Sequence, residues 1–137
     1  MKYTTLILLL FIYAQAVYAG APPQAVKDAF TQKFPAARDV KWGKENKNEW
    51  EAEFVSNGTK TSVNFSNDGK WVETETEIAV SELPAAVKAA IEKEHNGYSI
   101  TEADRIERAT GILYEVDLKS GMKKKEVHYS AEGAAVH

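Results

Sequence analysis

The sequence predicts an α+β domain. Tandem α-β-β-β-β repeats are expected to form one curved antiparallel sheet with two helices packed on one face. Three observations carry this expectation. The chain resembles itself at a fixed spacing, each copy opens with a proline-led amphipathic segment, and each continues in runs where apolar and acidic residues alternate.

The repeat is legible at three places in the same order. Pro23–Phe30 matches Pro84–Ile91 at an offset of 61, and Trp50–Phe54 matches Tyr114–Leu118 at an offset of 64. At that second offset Val63–Gly69 matches Val127–Gly133, with aromatic on aromatic and glycine on glycine. The shift of three residues fits an insertion between the second helix and its first strand. Residues 20–79 are therefore read as the first repeat and 80–137 as the second, in one continuous domain.

Residues 1–19 read as a removable secretory signal. Lys2 supplies the early positive charge, Leu6–Tyr13 the apolar run, and Ala14, Ala16, Val17 and Ala19 the small residues that signal peptidase needs. Cleavage is expected after Ala16 or Ala19, the latter preferred because Pro22 and Pro23 then follow closely. The run is shorter than the roughly 20 apolar residues of a spanning helix, so no membrane insertion is expected after cleavage. The mature chain is expected in the periplasm or outside the cell.

The first helix is expected over Pro23–Phe34. Val26, Phe30 and Phe34 form one stripe, the prolines suit a first turn whose amides have no partner, and Pro35 stops the helix. A strand near Asp39–Lys44 carries Val40 and Trp42 on one face. In Glu49–Phe54, Trp50, Ala52 and Phe54 alternate with Glu49, Glu51 and Glu53. Asn57-Gly58 is a two-residue hairpin signal, Val63 and Phe65 continue the apolar face, and Asp68-Gly69 turns the chain again. From Lys70 to Ile78 the alternation sets Val72, Thr74 and Thr76 toward the helices and Trp71, Glu73, Glu75 and Glu77 away. The second copy repeats this order: a helix with Val87 and Ile91 on its stripe, closed by Asn96-Gly97, then strands near Ile100–Arg108, Ile112–Lys119 and Lys123–Ser130. Its last strand can only be the short tail Ala134–His137.

A sheet apolar on one face needs one cover, which the two helices supply. The other face should be wet and acidic, carrying Glu51, Glu53, Trp71, Glu73, Glu75, Glu77, Glu115, Asp117, Glu126 and His128. Of these, Glu51, Glu53, Trp71, Glu73, Glu75, Glu115, Asp117 and His128 are the candidate partner-binding residues.

Composition narrows the function. The chain has no cysteine, which removes disulfides, thiol catalysis, cysteine-bound metals and lipidation on cysteine. Without Lys2 the mature chain has 16 basic and 20 acidic residues, a formal charge of −4. That balance argues against nucleic acid and against an anionic membrane surface. Lys123, Lys124 and Lys125 sit beside a glycine turn and suit an exposed strand edge. There is no phosphate loop, dinucleotide fingerprint or nucleophile elbow. His95 falls on the core stripe at a helix C-terminus, where a protonated imidazole is favoured. His128 has Ser130 two residues along but no group to orient it as a base, so no catalytic residue, cofactor or metal ligand is assigned. Asn57-Gly58-Thr59 and Asn64-Phe65-Ser66 match a glycosylation sequon and are read as incidental.

The helix Pro23–Phe34, the segment Asp39-Val40-Lys41-Trp42, the acidic strand Trp50–Phe54, the run Phe65–Trp71 and the opening Leu83–Val87 together resemble the PepSY-like, beta-lactamase-inhibitor-like proteins. The resemblance implies a curved antiparallel sheet with helices on one side, an open face able to hold a partner protein, a periplasmic or extracellular place and no enzymatic role. The second copy departs from the pattern where Gly133-Ala134 replaces the glycine-lysine-tryptophan step. The expected function is a secreted, non-enzymatic binding module that contacts another exported protein through the acidic face, inhibitor-like. The alternative is an envelope cation- or small-ligand-binding protein using the clustered carboxylates. Against calcium, these acids are spread over strands and no Asp-x-Asn-x-Asp loop is present.

Overall fold

Two ten-residue helices, α1 (Gln24–Lys33) and α2 (Ala85–Glu94), cover one face of an eight-stranded sheet in this computed structural model, which describes residues 20–137. The expected signal, residues 1–19, lies outside the described residues. After α1 come β1 (Arg38–Asn46), β2 (Glu49–Ser56), β3 (Thr59–Ser66) and β4 (Trp71–Glu77). A short 3-10 turn at Val80–Glu82 leads into α2, and β5 (Ser99–Arg108), β6 (Gly111–Ser120), β7 (Lys123–Ser130) and β8 (Ala135–Val136) follow. The strands lie in sequence order and every neighbouring pair is antiparallel. Among the described residues no helix is long and apolar enough to cross a membrane.

Each helix starts at a proline whose carbonyl takes the first free amides. Pro23 accepts from the amides of Val26 and Lys27 at 3.0 and 3.2 Å, and Pro84 accepts from Val87 and Lys88 at 3.0 and 3.1 Å. The Asn57-Gly58 turn has φ of 51° and 81°, the left-handed pair that a tight β2–β3 hairpin requires. At Gly69 and Gly133 the demand is stricter. Both have positive φ, and a Cβ there would stand 2.6 Å from the Ala25 carbonyl oxygen and 2.5 Å from that of Ala86. In each half, then, a sheet turn sits directly on the first turn of the covering helix, an approach only glycine permits.

All but one of the buried apolar residues form two separate cores. Val26, Phe30, Trp50, Ala52, Phe54, Val63 and Phe65 pack beneath α1. Phe30 stands edge-on to Phe54 and Trp42, each at 5.1 Å between ring centres. Leu83, Val87, Ile91, Ala103, Val116, Leu118 and Tyr129 pack beneath α2. The Tyr129 hydroxyl donates to Glu94 Oε2 at 2.8 Å, tying the end of α2 to β7, and burial followed by this bond pushes the phenol up to about 12.

Three expectations are corrected. Trp71 does not stand among the glutamates. It pairs with Phe65 while Glu73 pairs with Asn64, so one extra residue is accommodated at the start of β4 and the alternation restarts after it. The bulge turns Trp71 toward the helices, where it packs on the first core, donates its indole N–H to Thr74 at 2.9 Å and lies under the Lys33 ammonium at 4.6 Å. His95 caps α2 as expected, but partial burial and the neighbouring Lys125 ammonium, 2.6 Å from Nδ1, lower its pKa, so the neutral ring is favoured over the cation. β1 has a bulge of its own between Arg38 and Lys41, with Asp39 at φ 55°, and it leaves Val40 exposed while Trp42 remains against the core.

Gly69→Ala and Gly133→Ala are each expected to lower unfolding free energy by about 2 kcal/mol or more, through left-handed strain plus displacement of the helix. Gly97→Ala also has positive φ but would meet no atom within 4 Å; it is expected to cost about 1 kcal/mol. Urea unfolding of the three variants checks the ranking. Trp71→Ala is expected to destabilise by about 2 kcal/mol as a half-buried core residue, in the same measurement.

Candidate functional site

The register of the sheet decides which side chains share the uncovered face. On β2, Ala52 and Phe54 are buried beneath α1, which sends Glu51 and Glu53 to the other side. Ser62 and Asn64 lie opposite them on β3. Beyond the bulge, Glu73, Glu75 and Glu77 pair with Asn64, Ser62 and Asp104, so β4 adds three carboxylates. Asp104, Ile106 and Arg108 follow on β5, Leu113, Glu115 and Asp117 on β6, and Glu126 and His128 on β7.

The centre of this face is half dry. Ile106 is 2% exposed although it belongs to neither helix-side core. Its strand partners are Glu75 and Leu113, so the Glu75 carboxyl stands beside buried hydrocarbon rather than water. Glu115 is 9% exposed. His128 Nε2 bonds its Oε2 at 2.8 Å and lies 3.7 Å from Glu126 Oε1. Glu75, Asp104 and Glu115 each bring an oxygen to within 4.8 Å of the others, and so do the ligand atoms of Glu115, Glu126 and His128. Around this centre Arg108 Nε bonds Glu73 at 2.7 Å, and Lys60 lies 4.0 Å from Glu77.

Burial and like charge hold protons here at neutral pH. Burial, then the charges of Glu115 and Asp104, raise Glu75 to about 8. Burial and Glu115 raise Asp104 to about 7, and Glu126 to about 7. Glu51 rises to about 7 through burial, then through Glu53. Asp117 is raised by burial and by Glu115. The hydrogen bond to Glu115 raises His128, favouring the imidazolium. Without an ion, retained protons and the His128–Glu115 pair offset the repulsion between these close oxygens.

Of the candidate residues, Glu51, Glu53, Glu73, Glu75, Glu115, Asp117 and His128 lie together on the open face, with Glu77 and Glu126, while Trp71 lies on the opposite one. Ser130 does not engage His128. Its hydroxyl accepts the Ala134 amide at 3.4 Å, and the histidine ring is turned to Glu115. Asp104, Ile106 and Arg108 were not legible as face residues. Ile100 and Ile106 share parity, and a regular strand would bury both beneath α2. A register shift between Ile100 and Glu102 leaves Ile100 on the helix side and moves Ile106 to the open one. At the end of the β5–β6 hairpin the face runs into an open depression of about 670 Å³, lined by Arg108, Ile112, Leu113, Ser130 and Val136 among others. Ile112 and Val136 are exposed there.

A family model described as beta-lactamase-inhibitor-like, PepSY-like matches residues 48–137. Solved structures share the fold. A protein from Bacteroides eggerthii described as periplasmic is 24% identical with a TM-score of 0.78, covering 86% of this chain and 88% of its own. A BLIP-like protein from Bacteroides fragilis is 26% identical with a TM-score of 0.72, over 86% and 85%. A protein from Bacteroides uniformis is 22% identical with a TM-score of 0.77, over 85% and 88%. No curated protein matches.

The protonation pattern reverses the usual pH dependence of stability. A carboxyl whose pKa is raised on folding binds a proton as the chain folds. Its penalty is full above about pH 8 for Glu75 and above about 7 for Asp104, Glu51 and Glu126. The penalty is relieved as the pH falls through those values toward the ordinary 4.5 or 3.8. His128 acts in the same direction, since a raised histidine stabilises below its unfolded value and loses that effect as pH rises through the folded one. Calorimetry is expected to give a melting temperature higher near pH 5.5 than near pH 8.5 by on the order of 5 °C. Glu75→Gln is expected to raise the value at the higher pH and leave the lower one nearly unchanged.

Proposed function

Because the chain belongs to the beta-lactamase-inhibitor-like, PepSY-like family, we propose that it is a non-enzymatic binding module of the cell envelope, which docks another exported protein on the open face of its sheet. The observation that carries this reading is the gathering of Glu51, Glu53, Glu73, Glu75, Asp104, Glu115, Asp117 and Glu126 on the one sheet face that the helices leave uncovered. A solvated face needs no such concentration of like charge, and here the charge is partly suppressed by protonation rather than dispersed. A partner that supplied cationic groups would relieve the repulsion.

The apolar residues at the edge of the face strengthen the reading. Leu113 and Val136, with Ile112 beside them, give a greasy spot bordered by charge, which is the composition of protein interfaces rather than of small-molecule clefts. Export supports an extracytoplasmic partner. It rests on the signal pattern of residues 1–19 and on the periplasmic description of the Bacteroides eggerthii protein. The word inhibitor in the family's description is consistent with a module whose effect is occupancy of a partner's surface.

Crosslinking capture from native periplasm tests this. The wild-type chain is expected to enrich one exported protein. Reversing two outlying charges, Glu53→Lys with Asp117→Lys, is expected to weaken that capture by about tenfold or more, whereas Glu92→Lys on exposed α2 should leave it intact. Equal capture by all three proteins would place the contact elsewhere.

A further inference from the structure

The sheet is continuous, but what stands behind it is not. The two apolar cores share no residue, and the boundary between them runs along the β4–β5 pairing. On the helix side that boundary is polar: Thr74 lies opposite Glu107 and Thr76 opposite Arg105, with Arg105 bonded to Glu107. On the open side Glu75 of the first half stands against Asp104 and Glu115 of the second, with oxygens within 4.8 Å. The backbone ladder, the Arg108–Glu73 pair and the buried Ile106 hold the seam, and no shared core spans it.

We propose that the β4–β5 seam is a proton-tightened joint: the two halves behave as one cooperative body while the carboxylates facing each other across it retain protons, and they uncouple as those groups ionise. The inference goes beyond the docking function and stands whether or not the open face binds a partner. It follows from where the charges lie. The first half brings Glu51, Glu73, Glu75 and Glu77 to the seam or near it; the second brings Glu102, Asp104, Glu115, Asp117 and Glu126. The facing cations are Arg108 on Glu73, Lys60 near Glu77, Lys124 near Asp117 and His128 on Glu115. On the helix side Arg105 is taken by Glu107. Raising the pH through neutrality removes protons from Glu75 and Asp104, and repulsion across the seam grows. The bond to Glu115 favours the His128 imidazolium, whose positive charge is lost as the pH rises past its raised value. Each half keeps its own core, its own helix and its own glycine contact to that helix, so the seam can weaken without either half losing its packing.

The chain carries its own probe for the test. Trp42, Trp50 and Trp71 all lie in the first half and are the chain's three tryptophans. Tryptophan fluorescence therefore follows that half alone, while far-ultraviolet circular dichroism follows strands in both. Urea unfolding of the full chain is recorded with both signals near pH 5.5 and near pH 8.5. The two midpoints are expected to coincide at the lower pH and to separate by about 0.5 M or more at the higher. Glu75→Gln and, separately, Asp104→Asn are expected to restore coincidence near pH 8.5. Midpoints that coincide at both pH values, or a separation that is the same at both, would overturn the joint. A separation that persists unchanged in both variants would overturn it equally, by removing the carboxylates as its cause.

Discussion

One constraint organises this molecule: a sheet of eight strands has two faces, and two ten-residue helices can cover only one. Strand geometry sends alternate side chains to opposite faces, so burying Trp50, Ala52 and Phe54 obliges Glu51 and Glu53 to share the other side. The same logic repeats where Val116 and Leu118 go beneath α2 and Glu115 and Asp117 away from it. Acidity of the open face is thus built into the same strands that make the core. The helices are held to the sheet by more than apolar contact. Gly69 and Gly133 let a turn rest on the helix backbone itself, and Tyr129 bonds Glu94 across the layers.

What the open face does with its charge is the less ordinary part. A field of surface carboxylates in water would be screened within about 8–10 Å and titrate close to its usual range. Here Ile106 is buried on that face, Glu115 is nearly so, and the carboxyls around them are raised by loss of hydration first and by each other second. The result is a surface whose charge near neutrality is set by proton occupancy. Folding and proton uptake are coupled, and anything that brings positive charge to the face competes with the proton. The proposed docking of another protein and the proposed cohesion of the two halves would both draw on this one electrostatic arrangement.

Much of this was legible from periodicity. The two proline-led helices, the Asn57-Gly58 hairpin, the alternation in β2 and the acidic character of one face follow from local spacing, and all appear where that spacing puts them. The departures have two causes. Trp71, Ile106 and Asp104 were misplaced or missed because bulges in β4 and β5 add a residue, and one residue is enough to exchange the faces of a strand. His95 was read from the helix end alone, whereas the neighbouring Lys125 comes from a strand thirty residues away.

The amino-acid sequence by itself therefore determined the elements, their order and which of them carry apolar and acidic residues, because hydrogen-bonded periodicity is local and repeats within a few residues. Only the tertiary structure decided which side chains meet across strands: that Glu75, Asp104 and Glu115 converge at the β4–β5 seam, that Ile106 dries their surroundings, and that Trp71 belongs to a core. Register, bulges and desolvation are properties of neighbours distant in the chain, and the free energy that fixes them exists only once those neighbours are in place.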